Sequence, residues 1–213
     1  MARSKVTTPA AALRAPWRDQ VDEALKTGPL AREMSLATSA GGHARVRHVT
    51  FQAFSPSGFL EIATDRSSGK VLDVEHDPIV EIAWFVPAAG YQFRIRGRAA
   101  VIGEAHEFFH ARGTLRIPPT ADECSYSYWA DQRERVFNSL GPMAKKYDHA
   151  PPRGARVPPN TDYAHFNFVL VAIVPERVEV LDLTRKGYST WIIEKGEWVE
   201  EEQPPVLMER AHI

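Results

Sequence analysis

The chain has 213 residues, 44% of them hydrophobic and 25% charged, with a formal net charge of -1. That balance excludes a disordered or collagen-like chain, gives enough apolar residues for a full core, and offers no global attraction to nucleic acid or anionic lipid. The lone cysteine, Cys124, excludes an intramolecular disulfide and fits a reducing compartment.

The N-terminus lacks the unbroken apolar stretch of a secretory signal, and no later stretch reaches the roughly 20 apolar residues needed to span a bilayer. A soluble, cytoplasmic protein is expected, with residues 1–15 a flexible N-terminus and residues 16–213 a single domain. Arg3, Lys5 and Arg14, with no acid before Asp19, leave a transit peptide open. From Trp17 to Lys26 the positions Trp17, Val21, Ala24 and Leu25 recur at helical spacing, and Gly28-Pro29 forbids continuation. Glu33 to Thr38, Arg45 to Phe54 and Phe59 to Thr64 then read as strands separated by turn residues.

Ser67 to His76 has helical rhythm and stops at Pro78. The apolar run Ile79 to Val86 predicts a strand buried on both faces. From Tyr91 to Val101 the alternation is strict: Tyr91, Phe93, Ile95, Gly97, Ala99 and Val101 on one face, Gln92, Arg94, Arg96 and Arg98 on the other. Glu104 to Arg112 and Tyr126 to Leu140 are predicted helices, followed by a Pro-rich inserted loop at about 141–162. Phe166 to Val174, Arg177 to Leu183 and Tyr188 to Ile193 supply three more β segments, the first two parted by Pro175-Glu176. The predicted class is mainly β with flanking helices (α+β), about eight strands forming a closed or nearly closed, mainly antiparallel sheet.

Several segments carry candidate chemistry. His106-Glu107-Phe108-Phe109-His110 has the letters of the zinc motif H-E-x-x-H, but Gly113 cuts the helix short and no third ligand follows at helical distance. Ser67-Ser68-Gly69-Lys70 resembles the end of a Walker A loop without its first glycine, and Val71 stands where a magnesium-binding hydroxyl belongs. What survives is a single-phosphate cradle: the hydroxyls of Thr64 and Ser68, the N–H groups at a helix start and the Lys70 ammonium. Arg45 and Arg47 add a basic pair beside Val49 and Phe51, suited to a phosphate ester on an aromatic ligand. The Arg94, Arg96, Arg98 row is either an outer face with paired acids or an anion site. No aromatic interleaving points to nucleic acid, and no G-x-S-x-G elbow supports hydrolysis.

Read in order, Arg47-His48-Val49-Thr50-Phe51-Gln52, Phe59-Leu60-Glu61-Ile62-Ala63-Thr64-Asp65, Ser68-Gly69-Lys70 and Tyr91-Gln92-Phe93-Arg94-Ile95-Arg96-Gly97 resemble the pyridoxamine 5'-phosphate oxidase family, in its FMN-binding-domain branch. The likeness runs from Pro16-Trp17-Arg18 to about Gly113 and resumes from Phe166 to Trp198. It implies an FMN-binding split β-barrel with a six-stranded antiparallel core, working as a homodimer with FMN in the intersubunit clefts. By the same resemblance, Arg47 and Lys70 bind the FMN phosphate with Thr64 and Ser68. The backbone around Val49 and Thr50 lies along the flavin ring, Gln92 hydrogen-bonds its polar edge, and Arg185 reaches it from the partner chain. Arg112 matches a substrate-phosphate residue. The implied function is an FMN-dependent oxidoreductase moving a hydride between flavin and a small organic substrate or reduced nicotinamide; the alternative is a non-catalytic flavin- or haem-binding protein of the same fold.

The sequence also departs from the family pattern. Ser67 stands where the branch usually has an arginine, with Arg66 displaced by one; Gln52 replaces a lysine and Phe108 a tyrosine that pyridoxamine phosphate oxidases use on their substrate phosphate. Their C-terminal Arg-x-His pair has no match.

Overall fold

The computed structural model describes residues 15–105, 107–108, 122–194 and 197–201. Helix α1 (Trp17–Leu25) buries Trp17, Val21 and Ala24, one apolar stripe at helical spacing. A 3-10 turn at Pro29–Arg32 leads into β1 (Glu33–Ala40) and β2 (His43–Phe54). Gly41 and Gly42 join them, both at positive φ (57° and 80°), as a two-residue hairpin whose twist matches the strands requires. Next come β3 (Leu60–Asp65), α2 (Gly69–His76), β4 (Ile79–Val86) and β5 (Tyr91–Ile102). After them lie α3 (Tyr126–Ser139), a 3-10 helix (Gly141–Tyr147), the short α4 (Tyr163–Asn167), β6 (Phe168–Asp182), β7 (Gly187–Glu194) and β8 (Glu197–Glu200).

All described pairings are antiparallel, in the order β3-β2-β1-β4-β5-β6-β7-β8. A further β3–β6 pairing, from Leu60 opposite Ile173 to Asp65 opposite Phe168, closes the first six strands into a barrel. The fold is mainly β, a six-stranded antiparallel closed barrel with flanking helices. The barrel is filled by Leu36, Ile82, Trp84, Phe93, Ile95 and their neighbours. A second apolar core, containing Phe59, Trp129, Phe168 and Leu170, lies between the outside of the barrel and α3. There Arg133 of α3, 3% exposed, donates from Nε to the Phe168 carbonyl at 2.8 Å and pairs with Glu104.

Three expectations need correction. First, β4 is not buried on both faces: Val80, Ile82, Trp84 and Val86 point inward, whereas Ile79, Glu81, Ala83 and Phe85 are exposed on the outside. The doubly buried strand is the first half of β6, Phe168 to Val174, sandwiched between the two cores. An apolar run shows that a strand is buried, but not from how many sides.

Second, Pro175-Glu176 does not break the chain into two strands. The register slips there, with Arg96 opposite Arg177 and Gly97 opposite Pro175, so Glu176 is the extra residue of a bulge within a continuous strand. Gly97 makes this bulge fit, since a Cβ on it would lie 2.1 Å from the Val174 carbonyl oxygen. Third, the start of the Pro-rich segment is a 3-10 helix that buries Tyr147. The predicted Glu104 to Arg112 helix lies largely outside the described residues, as does the N-terminal segment before residue 15.

Candidate functional site

The end of β3 passes through a tight turn, Asp65 to Ser68, into α2. Asp65 shapes that turn. Its Oδ1 accepts the Ser67 N–H at 2.7 Å and the Ser67 hydroxyl, and its Oδ2 meets His149 Nε2 at 2.6 Å. Bonding to the Ala150 carbonyl and then to Asp65 raises the His149 pKa. Ser68 precedes α2 with extended backbone but makes no side-chain cap. Its hydroxyl lies 3.2 Å from Thr64 Oγ1. The first N–H groups of α2 have no intrahelical acceptor, and they carry the positive end of the helix dipole.

Lys70 and Asp73 are three apart on α2 and so share a face. Lys70 Nζ donates to Thr64 Oγ1 at 2.7 Å. Asp73, 3% exposed, gathers the rest of the corner. Its Oδ2 accepts the Thr38 hydroxyl at 2.7 Å and Arg47 Nη2 at 2.8 Å, and its Oδ1 accepts Arg45 Nη1 at 2.8 Å. Arg47 Nη1 also donates to Thr38 Oγ1 at 2.6 Å. Arg45, Arg47 and Val49 alternate along β2 on one face, which carries both guanidinium groups to the helix.

The electrostatics are unbalanced in one direction. Burial favours the neutral form of Asp73, but the Thr38 and Arg47 hydrogen bonds and the two guanidinium charges outweigh it and hold the carboxyl below its usual range. Burial and then Arg47 pull the Lys70 pKa down. Arg45 and Arg47 thus share the one carboxylate of Asp73, and among the described residues Lys70 has no carboxylate within ion-pair distance, only the field of Asp65. A partly buried corner whose cations outnumber its carboxylates favours an anion. A phosphomonoester, at about −1.5 to −2 near neutral pH, is such an anion.

The structure therefore brings together Arg47, Thr64, Ser68 and Lys70. Val49, 7% exposed, points into the barrel, and Thr50 on the outer face donates to Glu33 Oε1 at 3.1 Å. Gln92 is not in this corner. It lies on the outer face of β5, three strands round from β2, opposite Phe85 and Leu181. Arg185 is also apart, its side chain 85% exposed on the β6–β7 turn, with its backbone N–H held by Asp182 Oδ1 at 3.0 Å. Arg112, His106 and His110 lie outside the described residues. Glu107 pairs with Arg66 and accepts the Glu104 N–H at 2.6 Å, while Phe108 is packed in the second core. On the arginine row, Arg94 and Arg98 face Glu179 and Glu176 at 3.9 and 3.0 Å, the arrangement of an outer face with paired acids.

Sequence reasoning missed Thr38 and Asp73. One signal for Asp73 was available: it sits with Val71 and Val74 on the buried side of an amphipathic helix, where a charge needs a partner.

Comparison with known proteins supplies the identity. The family model described as the FMN-binding domain of pyridoxamine 5'-phosphate oxidase matches residues 14–103. The pyridoxine/pyridoxamine 5'-phosphate oxidase 2 of Arabidopsis thaliana is 33% identical over 215 residues, spanning 90% of this chain and 98% of that protein. The chain belongs to the pyridoxamine 5'-phosphate oxidase FMN-binding family. Among solved structures, a pyridoxamine 5'-phosphate oxidase-related FMN-binding protein from Nostoc punctiforme shares the fold with a TM-score of 0.66 at 24% identity, covering 90% of this chain and 98% of that one. PhzG from Burkholderia lata, solved with tetrahydrophenazine-1-carboxylic acid, gives a TM-score of 0.51 at 16% identity, covering 96% and 100%.

The cofactor of this pyridoxamine 5'-phosphate oxidase-family chain is FMN. The donor set at the β2–α2 corner fits that group, because surplus cations, two hydroxyls and an uncapped helix start are what a terminal phosphate needs.

Proposed function

We propose that this protein is an FMN-dependent oxidoreductase that works as a homodimer. The observation that carries the reading is the corner where Arg45, Arg47 and Lys70 outnumber Asp73. Arg47 and Lys70, with the Thr64 and Ser68 hydroxyls, would hold the phosphate. The β2 backbone at Val49 and Thr50 would support the ring, Gln92 would bond its polar edge, and Arg185 would reach it from a second copy. Bound FMN supplies the hydride-accepting centre, while the protein's part is to bind it, orient it and set its electrostatics.

A homodimer is supported by the outer faces of β2, β1 and β4. Val46 is 68% exposed and Phe85 51%, with the small Ser35, Ala37 and Ala83 between them. These exposed apolar side chains, with His48 opposite Ser35 and Glu81 opposite Ala37 beside them, are suited to burial against a second chain. Among the described residues no helix is long and apolar enough to cross a membrane, and a cytoplasmic location is part of the proposal.

The substrate class is a small organic molecule or a reduced nicotinamide. Gln52 stands at a β-bulge between Phe51 and Ala53 with its amide turned back to the Thr50 carbonyl at 3.2 Å, and Phe108 is enclosed in the second core. Neither presents a group to a substrate phosphate, which argues for a substrate other than a vitamin B6 phosphate. The test is anaerobic mixing of holoprotein with pyridoxamine phosphate, pyridoxine phosphate and reduced nicotinamides while the flavin absorbance is followed. Bleaching by a nicotinamide is expected; no bleaching by any of them overturns nicotinamides and vitamin B6 phosphates as the electron donors. Lys70→Ala is expected to weaken FMN binding about 10-fold while the protein stays folded. Light scattering that finds a single chain would remove the dimer.

A further inference from the structure

We infer that Arg45 is a third cationic arm of the phosphate site, delivered from β2 into space that Gly69 leaves open at the start of α2. This rests on the proposed phosphate-binding role of the corner. The turn before α2 contains one arginine of its own, Arg66, and its guanidinium is committed elsewhere. Arg66 Nε donates to the Phe166 carbonyl at 3.0 Å, the group lies over the Phe166 ring, and it pairs with Glu107. Ser67, Ser68 and Gly69 carry no charge, so the turn brings no free cation of its own before Lys70.

Arg45 fills that gap. A Cβ built on Gly69 would lie 3.0 Å from Arg45 Nη2 and 3.3 Å from Nη1, closer than ordinary van der Waals contact. The guanidinium therefore rests directly over the Gly69 backbone, beside the uncapped N–H groups of α2. Gly69 is not at a positive φ, so the backbone itself does not demand glycine; a side chain there would instead push the Arg45 guanidinium out of this position. Asp73 fixes the position. Its two oxygens take Arg45 and Arg47 separately, at 2.8 Å each, and set the two guanidinium groups side by side. The Arg45 side chain remains 51% exposed, so its other N–H donors stay open to an incoming anion.

This arrangement has a consequence for selectivity. Arg45 acts only on the phosphate, so it raises affinity for FMN and leaves affinity for riboflavin, which lacks that group, unchanged. Asp73 is a positioning residue in this scheme.

The experiment is titration of the apoprotein with FMN and with riboflavin, read by quenching of flavin fluorescence. Arg45→Ala is expected to weaken FMN about 10-fold and riboflavin not at all. Gly69→Arg placed in the Arg45→Ala background is expected to restore FMN affinity, because the new side chain starts in the vacated space. Lys70→Ala separates the two levels of the argument. If Lys70→Ala weakens FMN and Arg45→Ala does not, the role of Arg45 is overturned while the phosphate site stands. If neither variant changes FMN affinity, the phosphate site itself is misplaced. Equal weakening of FMN and riboflavin by Arg45→Ala would show a structural role and also overturn the inference.

Discussion

Among the buried carboxylates of the described residues, Asp73 and Glu61 are held in opposite ways. At the β2–α2 corner Asp73 is surrounded by Thr38, Arg45 and Arg47, and its pKa is held down. On the outside of β3, Glu61 is 1% exposed, and neither carboxylate oxygen has a hydrogen-bond partner. Burial, opposed by Arg135 and reinforced by Glu123, pushes its pKa up to about 7. The first site has more positive charge than its carboxylate can balance and is prepared for an anion. The second has only the field of Arg135 and no hydrogen-bond partner, and favours the neutral carboxyl below about pH 7. Burial alone therefore says nothing about function; the sign of what remains uncompensated does.

The largest expected effect comes from breaking the first site. Asp73→Ala leaves Arg45, Arg47 and Thr38 without their shared acceptor. It should cost about 3 kcal/mol in apoprotein stability by urea denaturation, the low end for a broken buried pair because Arg45 is half exposed. Added inorganic phosphate should raise the variant's midpoint more than that of the unaltered protein, since an anion can now stand where the carboxylate was. An equal response in both would break the contrast between the two regions.

The second site gives the next largest effect, with a definite sign. Glu61 has a folded-state pKa raised from 4.5 to about 7, so the native state keeps a proton that the unfolded chain has already released. Stability is then intact at low pH and falls as pH rises from about 4.5 through about 7. The shift sets a ceiling of about 3 kcal/mol, or about 2 kcal/mol once the site relaxes. Glu61→Gln should recover that amount at pH 8, change little at pH 4.5 and flatten the profile between. An unchanged slope would mean that Glu61 is charged in the folded protein.

How much of this was readable beforehand follows the range of the interactions. The Gly41-Gly42 hairpin and the alternation of β5 are local, and the chain displays both. Thr64, Ser68 and Lys70 carry the right chemistry at short spacing and Arg47 stands on the strand before them, so the candidate cradle was visible as residue types. Thr38 was not, and Asp73 showed only as a charge on the buried side of its helix, because the contact joining them spans 35 residues and exists only after the barrel closes. The Arg45–Gly69 approach was hidden for the same reason: it is a fact about missing volume, not about either residue. The exchange between β4 and β6 has a different origin. Both are apolar runs, and only the position of α3 decides which strand is covered twice.

The smallest effect probes the edge of the cationic corner. His149 closes on Asp65 at 2.6 Å from the segment after the 3-10 helix, with the side chains 39% and 21% exposed. Its raised pKa means the charged pair is fully present below the ordinary histidine value of about 6.5 and fades as pH rises through the higher folded-state value. With both groups partly solvated, His149→Ala should cost only about 0.5 kcal/mol at pH 6 and less at pH 9. The direction on FMN is more informative than the size. Asp65 adds to the field at Lys70, which it stabilises in its charged form. Without His149 its charge is less neutralised below pH 7, so FMN should bind slightly more weakly in the variant at pH 6 and equally at pH 9. Tighter binding at pH 6 would show that Asp65 does not belong to the electrostatics of the phosphate corner.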